Sequence, residues 1–489
     1  MSAPLVDGWA AAVETHTAAL YFAGDHVLKV KKPVSLGFLD FSSIEARRAA
    51  CADEVRLNRR LAPDVYLGVS DIVVDGAAVE HGVLMRRLPL DRSLSALVAR
   101  GVPSLADDVI RLARLFAAFH EHAPVVGRDV AVDIWTHPGQ LWRDNVAQAS
   151  ALSPDELPTE DLDAAEWLAQ RYVEGRSALF RDRLSAGLVR EGHGDLLADD
   201  VFLLADEPRV LDCLEFDQRL RVADVLLDVA SLVMDLERLG RPDLGRLFMD
   251  KYAAEAGENH PTTLEHFYIA HRALVRAKVA AIRAQQLNVT TRVPRDLLAM
   301  CIRHLQSAQV RLVVVGGLPG AGKSTMSALL AGRLPATVVS SDAVRWELAP
   351  TGGPAAYGAG RYSPAVTNRV YDEMMRRAAD RLAHGEHVVL DATFATDAHR
   401  AAAREVARRH AADLTEMCVV VDDATAAQRI AERARGLGRS EADVDVRNRL
   451  RAQFAPWPEA SVVDTDADGA AGVVGAVAAA CGAPRSWPE

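Results

Sequence analysis

The run Gly317-Leu318-Pro319-Gly320-Ala321-Gly322-Lys323-Ser324-Thr325 concentrates residue types that hold phosphate. Its glycines let backbone N–H groups turn inward as a nest around anionic oxygens, at the positive end of a helix expected over Thr325–Leu330. The spacing is GxxxxGK[ST], in which the lysine reaches the β- and γ-phosphates and the hydroxyl ligates Mg²⁺. Lys323 and Ser324 take those roles, and Gly317 through Thr325 are assigned to ATP. An apolar strand at Leu312–Val315 supplies the strand–loop–helix setting the motif needs. A further strand, Val388–Leu390, ends in Asp391, a carboxylate placed to hold the same Mg²⁺. Asp342, in Ser340-Ser341-Asp342, is a candidate base for an acceptor hydroxyl, or alternatively an N-cap. Arg429, Arg433, Arg435 and Arg439 cluster before Ser440-Glu441-Ala442-Asp443. They either neutralise a phosphoryl group in transfer or form a solvated basic face.

A second set of carboxylates lies upstream. Asp195 follows His193-Gly194, Asp200 comes five residues later, and Val210-Leu211 leads into Asp212. At that spacing Asp195 would accept a hydroxyl proton, while Asp200 and Asp212 would hold Mg²⁺ against the phosphates of ATP. Lysine is scarce: the six are Lys29, Lys31, Lys32, Lys251, Lys278 and Lys323, and three share one segment. Lys29 shares a strand face with Val27, so one side chain could meet adenine while the other reaches phosphate. Glu54, in the next helix, is its candidate partner; Lys31 lies on the same face and competes for that role.

These residues need two kinds of scaffold. Strands at Thr15–Phe22 and His26–Val30 flank Ala23-Gly24-Asp25, and a helix at Ser43–Leu61 is stopped by Ala62-Pro63-Asp64. Strands at Val65–Val69, Ile72–Val74 and Val79–Met85 follow, and Met85–Pro89 falls where a hinge would join two lobes. Helical periodicity then dominates, as at Asp107–Glu121 and Asp161–Phe180, interrupted by short strands at Val201–Leu204 and Val210–Cys213. From Arg311 strands and helices alternate, with further strands at Thr337–Val339, Cys418–Val421 and Ser461–Val463, the pattern of a helix-covered parallel sheet. Pro294–Ser307 is the expected helical bridge, giving domains at 1–305 and 306–489.

Residues 310–489 resemble the small P-loop kinases grouped with polynucleotide 5′-kinase, zeta-toxin and gluconate-kinase-like proteins. GGLPGAGKST, SSDAVR, YSPAVTNRVY, VVLDATF and RIAERARGLGRSEAD carry the likeness. It implies phosphoryl transfer from ATP, with Asp342 as base, Arg345 as a substrate ligand, and Arg433 and Arg439 as lid contacts. Residues 13–300 resemble the aminoglycoside and choline-kinase-like branch of the kinase fold, on HGDLLADD, VLDCLEF and DVASLVMDLE. The order Lys, Glu, hinge, HGD, Asp is the kinase order. The whole chain resembles two-domain bifunctional aminoglycoside phosphotransferase/ATP-binding proteins, on VKKPVSLGFLDF and NRRLAPDVYLGV. The implied fold is an α+β protein-kinase-like, two-lobed domain followed by an α/β P-loop NTPase domain with a parallel sheet. Two departures stand out: Asp200 replaces the branch's usual Asn, and the hairpin that leads to Lys29 has one glycine, Gly24, in its turn, so no glycine-rich loop covers the phosphates. The alternative to a kinase is therefore an ATP-binding regulatory protein or pseudokinase whose first domain senses a ligand.

Across 489 residues, 67 acidic against 56 basic side chains leave a net charge of −11, which disfavours extended nucleic-acid binding. A small hydroxylated acceptor is the expected partner, with a nucleic-acid end as the alternative, since one terminal phosphate needs only a local basic pocket. Five scattered cysteines, a start without signal-peptide character and the short apolar run Ala470–Cys481 fit a cytoplasmic protein with no membrane span. Asp464-Thr465-Asp466-Ala467-Asp468-Gly469 opens like a calcium loop but lacks its closing Glu, so a strand end near the nucleotide is expected instead. His120-Glu121-His122 reads as a helix end rather than a metal pair.

Overall fold

The computed structural model describes residues 11–14, 17–35, 40–75, 77–125, 138–349, 360–434, 444–467 and 469–481. The chain divides into two units: Met1–Leu141 with Asp182–His260 and Tyr268–Cys301, and Trp142–Arg181 with Pro261–Phe267 and Ile302–Glu489.

In the first unit, β1 (Ala11–Glu14), β2 (Ala18–Ala23), β3 (His26–Lys31), β4 (Tyr66–Val74) and β5 (Ala77–Arg86) form one antiparallel sheet ordered β1-β2-β3-β5-β4. The β2–β3 hairpin turns at Gly24, whose φ of +55° suits glycine. β1 is an element the sequence pattern does not announce, because Ala-Ala-Val-Glu is too short to alternate. β4 runs unbroken where two strands are expected. Pairing with β5 carries it through Ser70-Asp71, and register shifts at Tyr66/Gly68 and Ile72/Val73 absorb the irregularity.

The helix Ile44–Asn58 begins where Ser43 Oγ accepts the N–H of Ala46 at 3.1 Å. Arg47, Cys51, Glu54, Val55 and Asn58 recur at helical spacing on its buried side, which points Glu54 inward. Cys51 and Val55 pack with Val27, Val83 and Met85, each buried aliphatic chain favouring the fold by about 1.5–3 kcal/mol before entropy is counted.

Below the sheet the unit is helical. β6 (Val189–Glu191) pairs with β9 (Val222–Asp224), and β7 (Val201–Leu203) with β8 (Pro208–Val210). The strand expected to reach Cys213 stops at Val210, because Asp212 turns the chain with φ +63°. This is a five-stranded lobe above a helical lobe, the protein-kinase-like arrangement.

The second unit contains a parallel sheet: β10 (Arg311–Gly316), β11 (Ala336–Ser340), β12 (His387–Asp391), β13 (Asp413–Val420) and β14 (Ser461–Asp464), ordered β11-β12-β10-β13-β14. The order reverses at central β10, so a ligand crevice is expected at its C-terminal end. Val313, Val315, Met326, Leu330, Val389, Met417 and Val477 form the core beneath it. The helix expected over Asp161–Phe180 is two helices, Thr159–Gly175 and Ser177–Ser185. They divide at Gly175, where a Cβ would lie 2.2 Å from the carbonyl oxygen of His410. The fold is thus a kinase-like α+β domain followed by an α/β P-loop domain.

Candidate active sites

At the end of β10 the chain enters the phosphate loop and then the helix Lys323–Arg333. Gly317, Gly320 and Gly322 adopt φ of +139°, +84° and +99°, the region glycine enters without penalty. A Cβ on Gly317 would lie 2.2 Å from Val419 O, and one on Gly320 2.8 Å from Ala426 O. The loop's shape therefore depends on glycine twice over, by conformation and by space. Pairing of β10 with β12 sets Asp391 beside Val315, immediately before the loop. Asp391 is buried, which pushes its carboxyl up; Lys323 and a hydrogen bond from Ser324 oppose the shift, and Asp342 adds to it. Lysine, hydroxyl and both carboxylates thus meet at one strand end.

Asp342 lies in the first turn of Ser341–Leu348, and the N-cap is Ser340, so Asp342 is not the cap residue. Arg345 is buried, donates to Arg361 O at 2.8 Å and stacks on Tyr362 with its guanidinium 4.9 Å from the ring centroid. Arg433 closes the helix Asp423–Ala434; its side chain, like the whole of Arg435 and Arg439, lies outside the described residues.

Two residues to which the sequence assigned no individual role brace the loop. Arg447 is buried and donates to Pro319 O at 2.6 Å. Thr465 Oγ1 donates to Ala321 O at 3.0 Å and accepts from Arg429 at 2.9 Å. Thr465 belongs to the segment that only mimics a calcium loop, and it stands at the phosphate loop as that reading expected.

In the first unit, Lys29 Nζ lies 2.9 Å from Glu54 Oε1 and 2.6 Å from Asp212 Oδ1. Lys31 Nζ takes the other Glu54 oxygen at 2.7 Å and also pairs with Glu215. Both rivals thus reach Glu54, but only Lys29 also holds Asp212. Burial pulls Lys29 down, yet Asp212, Glu54 and Glu215 outweigh it and hold the ammonium well above its ordinary range. Lys29 in turn draws the Asp212 carboxyl down.

The loop bearing Asp195 is fixed from behind. Asp228 accepts the backbone N–H of His193 at 2.7 Å and of Gly194 at 2.8 Å. His120 contacts the same carboxylate at 3.1 Å and Tyr252 OH at 2.9 Å, so it is structural, as its place at a helix end suggested. Although burial favours the neutral acid, these donors hold Asp228 strongly ionised. The His193 ring donates from Nε2 to Leu211 O at 2.9 Å, tethering the residue before Asp212. Burial drives the Asp200 carboxyl well up, and Asp212 and Asp195 push further. Such crowding of carboxylates favours a cation between them.

Oxygen donors of this kind suit Mg²⁺, which takes one or two carboxylates and completes its shell with phosphate and water. Ser324 with Asp391, and Asp200 with Asp212, would hold it. Among the described residues no group of three or more His, Cys, Asp or Glu makes a self-sufficient metal cage. Arg272 and Arg276, which both pair with Asp195, were also missed; their i, i+4 spacing was visible but ordinary in so arginine-rich a chain.

Residues 312–457 match the AAA domain family. Among solved structures, the GDP and kanamycin complex of APH(2")-IIia is 18% identical with a TM-score of 0.36, covering 60% of this chain and 91% of that one. The Mycobacterium tuberculosis APS kinase CysC with AMPPNP and APS is 20% identical (TM-score 0.25), covering 32% and 90%. A gluconokinase from Sinorhizobium meliloti is 16% identical (TM-score 0.26), covering 35% and 92%. Uncharacterized proteins of Mycobacterium tuberculosis (strain H37Rv) and Mycobacterium bovis are each 38% identical over 463 residues, covering 92% of this chain and 91% of theirs. With that identity along nearly its whole length, the chain belongs to one family with these mycobacterial proteins.

Proposed function

We propose that the chain is an ATP-dependent phosphotransferase that moves the γ-phosphate of ATP to a hydroxyl of a small molecule, with Mg²⁺. The observation that carries this reading is the meeting of Lys323, Ser324, Asp391 and Asp342 at the end of the parallel sheet. Loop N–H groups and Lys323 would bind and orient the β- and γ-phosphates, bringing the γ-phosphorus in line with the acceptor. Bound Mg²⁺ would supply charge neutralisation on the phosphate oxygens. Asp342 would take the acceptor's proton as its oxygen bonds to phosphorus and the bond to the bridging β–γ oxygen breaks, releasing ADP. Asp195 would do the same in the first unit, with Lys29 on the phosphates.

Among the described residues no helix is long and apolar enough to cross a membrane. With the acidic balance, this supports a cytoplasmic enzyme of small acceptors. A second reading, an ATP-binding switch, is favoured by one observation: among the described residues leading to Lys29 the glycine is Gly24, and it sits in the β2–β3 turn rather than in a glycine-rich loop.

The test is calorimetric titration of the full chain with a non-hydrolysable ATP analogue and Mg²⁺. Wild type should bind two equivalents, and Lys323→Ala and Asp212→Asn one each, from different sites. Retention of both sites in Lys323→Ala would sink the P-loop assignment. ATP turnover stimulated by some members of a panel of sugars, amino sugars and nucleosides supports the kinase; slow turnover indifferent to all of them supports the switch.

A further inference from the structure

Both carboxylate oxygens of Asp195 are engaged by guanidinium groups. Arg272 pairs with Oδ1, and Arg276 Nη1 lies 3.4 Å from Oδ2. The two arginines stand one turn apart on the helix Thr262–Leu287. Arg283 continues the same face, exposed. Arg272 is nine-tenths buried, and among the described residues its Nε has no partner. Two cations against one anion leave positive charge beside the residue that should receive an acceptor's hydroxyl. Among the described residues, Arg272 and Arg276 make their ion pairs with Asp195, and Asp212 pairs instead with Lys29.

A neutral polyol needs no guanidinium there, and a cationic amine would be repelled. Arginine forks match the paired oxygens of phosphate and carboxylate. We propose that the acceptor used at Asp195 is an alcohol carrying a phosphate or carboxylate group, held by Arg272 and Arg276. Until it arrives, Asp195 stands in for that anion. When the acceptor takes over the arginines, Asp195 is released to accept the hydroxyl proton. The inference rests on the phosphotransferase reading of this site and names its substrate class.

The experiment uses full-length Lys323→Ala protein, so that the P-loop does not contribute, and equilibrium dialysis against radiolabelled inorganic phosphate. Binding is measured with and without Mg²⁺ and the ATP analogue. Saturable binding is expected, weakened at least tenfold by adding Arg276→Gln and tightened several-fold by adding Asp195→Asn, which removes the competing carboxylate. Arg276 is half-buried and the safer of the two to replace; Arg272→Gln serves as a second variant. Equal phosphate affinity in all variants, or no saturable binding, overturns the proposal. Glycerol 3-phosphate and glycerate as competitors distinguish the two anions, and displacement by glucosamine alone also overturns it. If the Lys323→Ala protein binds no ATP analogue at a site that Asp212→Asn removes, the phosphotransferase reading is overturned instead, while the anion site is judged on its own titration.

Discussion

Lys29 and Lys31 leave one face of β3 two residues apart and share Glu54, so their second partners decide what each does. Lys29 reaches Asp212, a candidate Mg²⁺ ligand, whereas Lys31 reaches Glu215. Replacing Lys29 by Met should therefore cost at least tenfold in analogue affinity at the Asp212-dependent site. Lys31→Met should leave that affinity within a few-fold and appear as lost stability, since it strands half of a buried ion network. Calorimetry and thermal unfolding of the two variants separate these effects; equal losses of affinity would mean the lysines act as one. Glu54 is fully buried between both cations. Glu54→Gln keeps the shape and removes the charge, and breaking a buried pair from one side costs about 3–5 kcal/mol. Denaturant unfolding should show a loss of that order, and a change below about 1 kcal/mol would place the network in solvent.

At the scale of elements, the phosphate loop is a close bend between β10 and a helix, and its glycines are not equivalent to glycines elsewhere. Gly317→Ala must place a methyl group against Val419 O and hold an alanine at φ +139°. Strain of about 1–3 kcal/mol and loss of nucleotide binding at the P-loop are expected. Gly332, in the helix that follows, faces open space, and Gly332→Ala should raise stability by about 0.5–1 kcal/mol without touching nucleotide affinity. Titration of both variants checks the contrast; normal binding by Gly317→Ala would mean the loop can re-form. The same elements show what the sequence could reveal. That Gly317–Thr325, Asp391 and Asp342 come together was legible because a GxxxxGK[ST] run after an apolar strand and an Asp closing the neighbouring strand both show as spacing. The order Lys29, Glu54, Asp195, Asp212 was legible for a similar reason. Arg447 and Thr465 were not, because bracing a loop through carbonyl oxygens needs only a donor and leaves no spacing signature. Nor was the role of Asp228: DVASLVMDLE marked the region, but only folding shows its first Asp gripping the N–H groups of His193 and Gly194.

At the scale of the whole molecule, acid should weaken both units through histidines that are buried neutral. In the second unit burial and nearby Arg311, Arg176 and His266 push His387 down to about 4, from an ordinary 6.5. Its Nδ1 accepts the N–H of Arg311 at 3.1 Å, a bond that protonation would destroy. In the first unit burial, with Arg272 and Lys278, pushes His271 down to about 3. A histidine harder to protonate in the folded state means that the unfolded chain binds more protons between the two pKa values. Stability is therefore full above pH 6.5 and falls as the pH drops toward 4. For His387 alone the loss is on the order of 3 kcal/mol at pH 4, at about 1.4 kcal/mol per pH unit. His387→Asn keeps an acceptor for the Arg311 N–H without the titration. Thermal unfolding at pH 7.5, 6, 5 and 4 should show wild type losing stability faster than this variant, with the curves meeting above pH 7. Parallel curves across the whole range would show that His387 does not set the acid limb.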